Sequence, residues 1–179
     1  MRNWYVITGG PSAGKTSIIN ALAEQGFHIE HESARLVIDE ALANGQTIEE
    51  LRGDQEEQFQ EIVFDHKLKR EQQLDSKELI FFDRGMQDTF AYYQLHGFTI
   101  PEAMQQAMDQ SDYKKVFLLE SHGFEEDYAR TESEAETQKL FRLLKEGYQR
   151  SGLLVEVIPT FSTIEERIDF FLDEIRDIA

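Results

Sequence analysis

Short, mostly apolar runs recur along this chain at Trp4 to Thr8, Phe27 to Glu30, Leu79 to Phe82, Val116 to Leu119 and Leu154 to Ile158. Their length and their β-branched and aromatic content predict strands. Between them the apolar residues fall at helical spacing. That pattern predicts helices at 17–25, stopped by Gly26, and at 33–44, stopped by Gly45. A long polar helix is predicted at 48–74, with Leu51, Phe59, Ile62, Val63 and Leu68 as its apolar stripe. Further helices are predicted at 86–96, 101–110, 133–150 and 163–177.

Strands alternating with helices require right-handed crossovers, and so a parallel sheet covered on both faces. The predicted architecture is a three-layer α/β sandwich. No internal repeat, low-complexity tract or proline-rich linker interrupts the 179 residues, which predicts one domain spanning 1–179.

Charge narrows the partners. Lys and Arg number 18 against 35 Asp and Glu, a formal net charge of −17. Such a surface repels a phosphate backbone, so nucleic acid is not an expected partner. Runs such as Glu49-Glu50, Glu56-Glu57 and Glu165-Glu166 read as solvated helix faces. The chain has no run of 18 apolar residues and no signal-like stretch before the first strand, which predicts a cytoplasmic protein without a membrane span. Zero cysteines exclude disulfides, thiolate metal sites and cysteine nucleophiles.

Between the first strand and its helix stands Gly9-Gly10-Pro11-Ser12-Ala13-Gly14-Lys15-Thr16, a full match to G-x-x-x-x-G-K-[ST]. Backbone amides must close around a phosphate chain here, and a Cβ at Gly9 or Gly14 would obstruct them. Lys15 is expected to reach the β and γ phosphates and the Thr16 hydroxyl to ligate Mg²⁺. The helix N-terminus at Ser17 adds its dipole to anion binding. With strand, turn and helix all present, Gly9 through Ser17 are the expected nucleotide-binding residues.

In open parallel sheets ligands sit beyond the carboxyl ends of the strands, so the segments after each strand are the next candidates. The third strand delivers Asp83-Arg84-Gly85. Asp83 is a candidate Mg²⁺ partner or base, or alternatively a turn residue. Arg84 is a candidate for holding an acceptor, or alternatively pairs with Asp88 one turn on. After the second strand, the i, i+3 pair Glu32 and Arg35 shares one face at a helix start. Glu32 would orient the acceptor and Arg35 neutralise the transferred group, unless the two simply pair with each other. The loop from Glu120 to Thr131 is the candidate lid, extending to about residue 135, with Arg130 as its charge-stabilising residue. The five histidines show no metal-binding spacing. No N-K-x-D follows a strand, which leaves adenine as the default base.

The phosphate loop, Glu32-x-x-Arg35, Phe81-Phe82-Asp83-Arg84-Gly85-x-x-Asp88 with Tyr92, Arg130-Thr131-Glu132, and Val157-Ile158-Pro159 with Glu166-Arg167 together resemble one family. It is the small AAA-type P-loop ATPase/kinase family that includes the ribosylnicotinamide kinase domain of NadR proteins. The resemblance covers nearly the whole chain and implies a nucleoside/nucleotide-kinase-like fold with strand order 2-3-1-4-5 and ATP·Mg²⁺ as ligand. By position it implies that Lys15 and Thr16 hold phosphate and metal, that Asp83 serves metal or base, that Arg84 serves the acceptor, and that Arg130 serves the lid. The nucleotidylyltransferase domain of NadR proteins has no counterpart here, so the acceptor is open. The expected activity is phosphoryl transfer from ATP to a small nucleoside-like or nucleotide-like acceptor. The alternative is an ATPase or nucleotide-dependent switch acting through a protein partner.

Overall fold

A computed structural model describes residues 2–53, 55–121, 134–176 and 178. Its strands are β1 (Trp4–Gly9), β2 (His28–Glu30), β3 (Ile80–Asp83), β4 (Lys115–Leu119) and β5 (Val155–Ile158). Its helices are α1 (Lys15–Glu24), α2 (Ser33–Ala43), α3 (Ile48–Arg52), α4 (Glu56–Glu71), α5 (Asp88–His96), α6 (Glu102–Asp109), α7 (Glu134–Arg150) and α8 (Ile164–Glu174). The strands form one sheet in the order β2-β3-β1-β4-β5, and all its pairings are parallel. This is the three-layer arrangement that the alternating pattern predicts, in the strand order that the family resemblance implies.

Strand alternation divides the core into two faces. Trp4, Val6, Ile80, Phe82 and Val116 point to one face and pack against Phe64 of α4, Phe90 and Tyr93 of α5, Met104 and Met108 of α6, and Tyr148 of α7. Tyr5, Ile7, Phe81, Phe117 and Leu119 point to the other and meet Ile18, Ile19 and Leu22 of α1, Phe171 of α8 and Ile175 at its C-terminal cap. β1 is buried along its whole length, as a central parallel strand must be. Among the described residues no helix is long and apolar enough to cross a membrane.

One predicted element divides. The stretch 48–74 folds as α3 and α4 rather than as a single helix, and α4 ends at Glu71. Thr47 starts α3 with a capping box, its hydroxyl accepting from the Glu50 amide at 3.2 Å while Glu50 accepts from the Thr47 amide at 2.8 Å. Gly53 then leaves helical geometry at φ −91°, ψ −103°. A Cβ there would lie 2.5 Å from the Glu49 carbonyl oxygen, so the turn needs glycine. The break lets Leu51 of α3 join Phe59 and Val63 of α4 in a small cluster with Val37 and Ala41 of α2. This helical layer stands over the end of the sheet where the candidate residues collect.

Candidate functional site

The parallel register sets the site. Ile7 lies opposite Asp83 and Glu30 opposite Phe82, so β1, β2 and β3 end side by side. The phosphate loop, Glu32 and the Asp83-Arg84-Gly85 turn therefore leave the sheet together.

The loop is tightly built. Gly9 has φ 155°, and a Cβ on it would lie 2.6 Å from the Leu119 carbonyl oxygen of the neighbouring strand. Gly14 caps α1 in the left-handed conformation, φ 73°, with Ile164 Cδ1 2.9 Å from where a Cβ would stand. Ser121 Oγ donates to the Pro11 carbonyl at 2.9 Å, and Ala13 is buried in the core on the α1 face. Lys15 opens α1 and folds back over the loop, donating from Nζ to the Gly9 and Gly10 carbonyls at 3.0 and 2.9 Å. Burial, with the Arg84 charge beside it, lowers the Lys15 pKa to about 7. Thr16 is exposed in the first turn of α1, and Ser17 is half-buried behind it.

Arg84 is the hub. Its φ of 69° turns the chain sharply off β3. Its Nε donates to Glu32 Oε1 at 2.6 Å, and its Nη1 donates to Asp88 Oδ1 at 2.9 Å and to the Gly9 carbonyl at 3.3 Å. Thr8 adds a hydroxyl donation to Asp88 Oδ1 at 2.8 Å. Burial works against the guanidinium charge, but Tyr92, Glu32, Asp88 and Asp83 outweigh it and hold it firmly protonated. Burial likewise acts on Glu32, and there the Arg84 and Lys15 charges win, bringing its carboxyl down to about 2. The pairing of Arg84 with Asp88 is thus realised, and joined by Glu32 and the loop itself.

Asp83 stands apart from this network. Its Oδ1 is buried and accepts no hydrogen bond among the described residues, and burial together with the Glu32 charge raises its pKa. Such an orphaned oxygen suits a divalent cation and its bound water. Arg35 is not drawn in. It is 70 % exposed and its Nε contacts Glu32 Oε2 at 3.3 Å, the simple i, i+3 pair. Arg130 and nearly all of the candidate lid lie outside the described residues.

A cavity of about 50 Å³ opens beside Arg84, lined by Glu32, Phe59, Val63, Lys67, Thr89 and Tyr92 among others. Its lining comes from α2, α3, α4 and α5 and from the turns that carry Glu32 and Arg84.

Arg167 entered the sequence reading only as part of the family resemblance, with no role at the site. It is fully buried on α8, donating to the Ala13 carbonyl and to the Ile158 carbonyl, each at 2.8 Å, and so ties the loop to the end of β5. The available signal was an arginine within the stripe Ile164, Arg167 and Phe171, whose spacing faces the core. Lys67 and Thr89 gave no such signal.

An AAA domain family model matches residues 4–167. No curated protein matches the sequence. Among solved structures, deoxyadenosine kinase from M. mycoides superposes with a TM-score of 0.68 at 14% identity, covering 97% of this chain and 99% of that one. Thymidylate kinase from Ehrlichia chaffeensis gives 0.64 at 13% identity, covering 97% of each chain. The NadR protein in complex with NR gives 0.64 at 17% identity over 95% of this chain, which spans 48% of that protein. These likenesses place the fold among nucleoside and nucleotide kinases. With its phosphate loop, Asp-Arg-Gly turn and matched span of nearly the whole sequence, the chain belongs to the AAA domain family of P-loop proteins.

Proposed function

We propose that this protein is a small-molecule kinase that moves the γ-phosphoryl group of ATP to a hydroxyl or phosphate of a nucleoside-like or nucleotide-like acceptor. One observation carries the reading. The Gly9 carbonyl accepts from Lys15 at 3.0 Å and from Arg84 at 3.3 Å, so the phosphate loop and the wall of the adjoining cavity meet at a single atom. A donor site and a second pocket that share one charged boundary suit transfer of a phosphoryl group between them.

In this reading the loop amides and Lys15 bind the phosphates. Arg84 supplies positive charge between donor and acceptor, and Glu32 orients the acceptor hydroxyl and takes its proton. Thr16 and Asp83 would hold Mg²⁺, which when bound neutralises the β and γ oxygens. Arg130 completes the charge from the lid. The kinase folds of the structural neighbours, one of them a NadR protein in complex with NAD and AMP-PNP, support the reading. We place the activity in the cytoplasm, a reducing setting that a cysteine-free chain suits.

The cavity as it stands admits about two waters, so α2 and α4 must part for an acceptor to enter. Its small size also favours the second reading, an ATPase or switch that works through a protein partner. Incubation with ATP·Mg²⁺ and a panel of nucleosides, nucleotides and vitamins separates the two. The kinase predicts that at least one compound raises ADP production well above the water background. Tight nucleotide binding with no stimulation by any compound favours the switch.

A further inference from the structure

Three buried polar side chains with no place in the chemistry above converge on the backbone of Gly85 and Met86. Lys67 Nζ donates to the Gly85 carbonyl at 2.8 Å, from a residue only 7% exposed. The Gly85 amide donates to the Tyr148 hydroxyl at 3.0 Å, and the Met86 amide to the Tyr113 hydroxyl at 3.1 Å. Each phenol is itself anchored: Tyr148 donates to Asp88 Oδ2 and Tyr113 to Glu71 Oε1. The anchors come from α4, α7 and the segment before β4.

Packing alone does not account for these residues. A buried ammonium that has no carboxylate hydrogen-bond partner among the described residues is costly, and the space alone could be filled by an apolar side chain such as methionine. Burial lowers the Lys67 pKa and raises that of Glu71, so the folded protein bears a desolvation cost at both, while the two phenols, pushed well up, stay neutral donors. What the three groups share is the residue they bracket. Arg84 immediately precedes Gly85 and holds φ 69°, a conformation uncommon outside glycine. Tyr148 grips both ends of that turn, through the Gly85 amide and through Asp88, the partner of Arg84. A Cβ on Gly85 would lie 2.9 Å from the Tyr148 hydroxyl and 3.0 Å from Tyr113, so side chain and glycine are fitted to each other.

We propose that Lys67, Tyr113 and Tyr148 are positioning residues whose hydrogen bonds to the Gly85-Met86 backbone fix Arg84 in its left-handed turn, aiming its guanidinium at Glu32, Asp88 and the Gly9 carbonyl. The role concerns the geometry of Arg84 whatever the acceptor is; only its catalytic consequence rests on the kinase reading.

The test uses the full chain, uniformly ¹⁵N-labelled, with Tyr148→Phe and Lys67→Met made separately. Arg84→Lys identifies the Arg84 Nε–H resonance. Solvent exchange of that proton is compared with exchange of the Phe117 amide in the centre of the sheet. Expected is at least a tenfold gain in Arg84 exchange relative to Phe117 in each variant, with AMP-PNP affinity changed less than threefold. With an acceptor from the panel, kcat falls at least tenfold while KM for ATP stays within threefold. If Arg84 and Phe117 accelerate together, or if neither changes in a folded variant, the three residues only support the fold and the proposal is overturned. Should Lys67→Met fail to fold, Tyr148→Phe decides by the same ratio, since the ratio removes any change in global stability. Absence of turnover with every acceptor would count against the kinase reading and leave the exchange result standing.

Discussion

Glu32 Oε1 receives the Arg84 Nε–H at 2.6 Å across 52 residues of sequence, joining the turn after β2 to the turn after β3. Both side chains are largely buried, 15% and 9% exposed, and the guanidinium keeps the carboxylate ionised. A carboxylate so held is a hydrogen-bond acceptor at every physiological pH. In the proposed kinase it would position a hydroxyl and accept its proton only as charge develops in transfer. Glu32→Gln is therefore expected to lower turnover by roughly 10² to 10⁴, the usual worth of a general base, with AMP-PNP affinity nearly unchanged. Single-turnover kinetics beside equilibrium binding checks the split.

The same pair makes stability depend on acid. The folded pKa of Glu32, about 2, lies below its ordinary 4.5. Its contribution is fully present above pH 4.5 and is lost as pH falls toward 2. The full amount is of order 3 kcal/mol. Urea melts at pH 6 and pH 3 should show a smaller loss for Glu32→Gln than for the parent protein. Equal losses would remove Glu32 from the acid response.

Lys15 gives the opposite signature at alkaline pH. Its pKa of about 7 lies below the ordinary 10.5, so the folded protein binds fewer protons than the unfolded chain between those values. That penalty is greatest below pH 7 and fades as pH rises to 10.5. Triphosphate needs the protonated form. Between pH 7.5 and 9.5 the Kd for AMP-PNP should weaken toward tenfold per pH unit, and binding should take up a proton. Lys15→Arg, which stays charged, should flatten the slope; a flat profile in the parent protein would refute the assignment.

Arg167 predicts a loss of function without a matching loss of fold. Among the described residues its guanidinium bridges the Ala13 and Ile158 carbonyls with no carboxylate among its hydrogen bonds, and its Nε has no hydrogen-bond partner. Arg167→Met removes the desolvation cost along with the bridge, so the melting temperature should move by only a few degrees. AMP-PNP affinity should fall about tenfold, because Ala13 then loses its tie to β5. A large drop in melting temperature with affinity unchanged would make Arg167 a core support only.

Gly9 is the point where the loop has no room. A Cβ placed 2.6 Å from the Leu119 carbonyl must displace β4 or the loop, and neither can yield cheaply. Gly9→Ala should destabilise by roughly 2 kcal/mol or more and abolish nucleotide binding, as followed by thermal melts and titration.

Much of this was legible in order. Apolar runs of strand length alternating with helical stripes dictate a parallel sheet, because each crossover must cover a face that the strands leave apolar. The phosphate loop was legible because backbone amides can converge on phosphate only where glycine permits it, a constraint expressed at fixed spacing. Asp83, Arg84 and Glu32 were legible as candidates because they follow strands.

Other features had no local trace. Gly53 carried the break between α3 and α4, yet a lone glycine in a polar helical pattern is equally compatible with continuation; the tertiary cluster of Leu51 with Phe59 and Val63 rewards the break. Arg84 offered two readings from its sequence spacing, and folding joined it at once to Asp88, Glu32 and the Gly9 carbonyl. Arg35, likewise within one helical turn of its carboxylate, Glu32, was left at the surface. The difference is burial: desolvation drives Arg84 to fill its donors from three elements, whereas water serves Arg35. Sequence by itself determined the order of elements and the phosphate cradle, since both rest on local geometry. Which cations enter the site, and what holds them there, was decided by tertiary structure, because burial and long-range hydrogen bonds exist only after the strands are laid side by side.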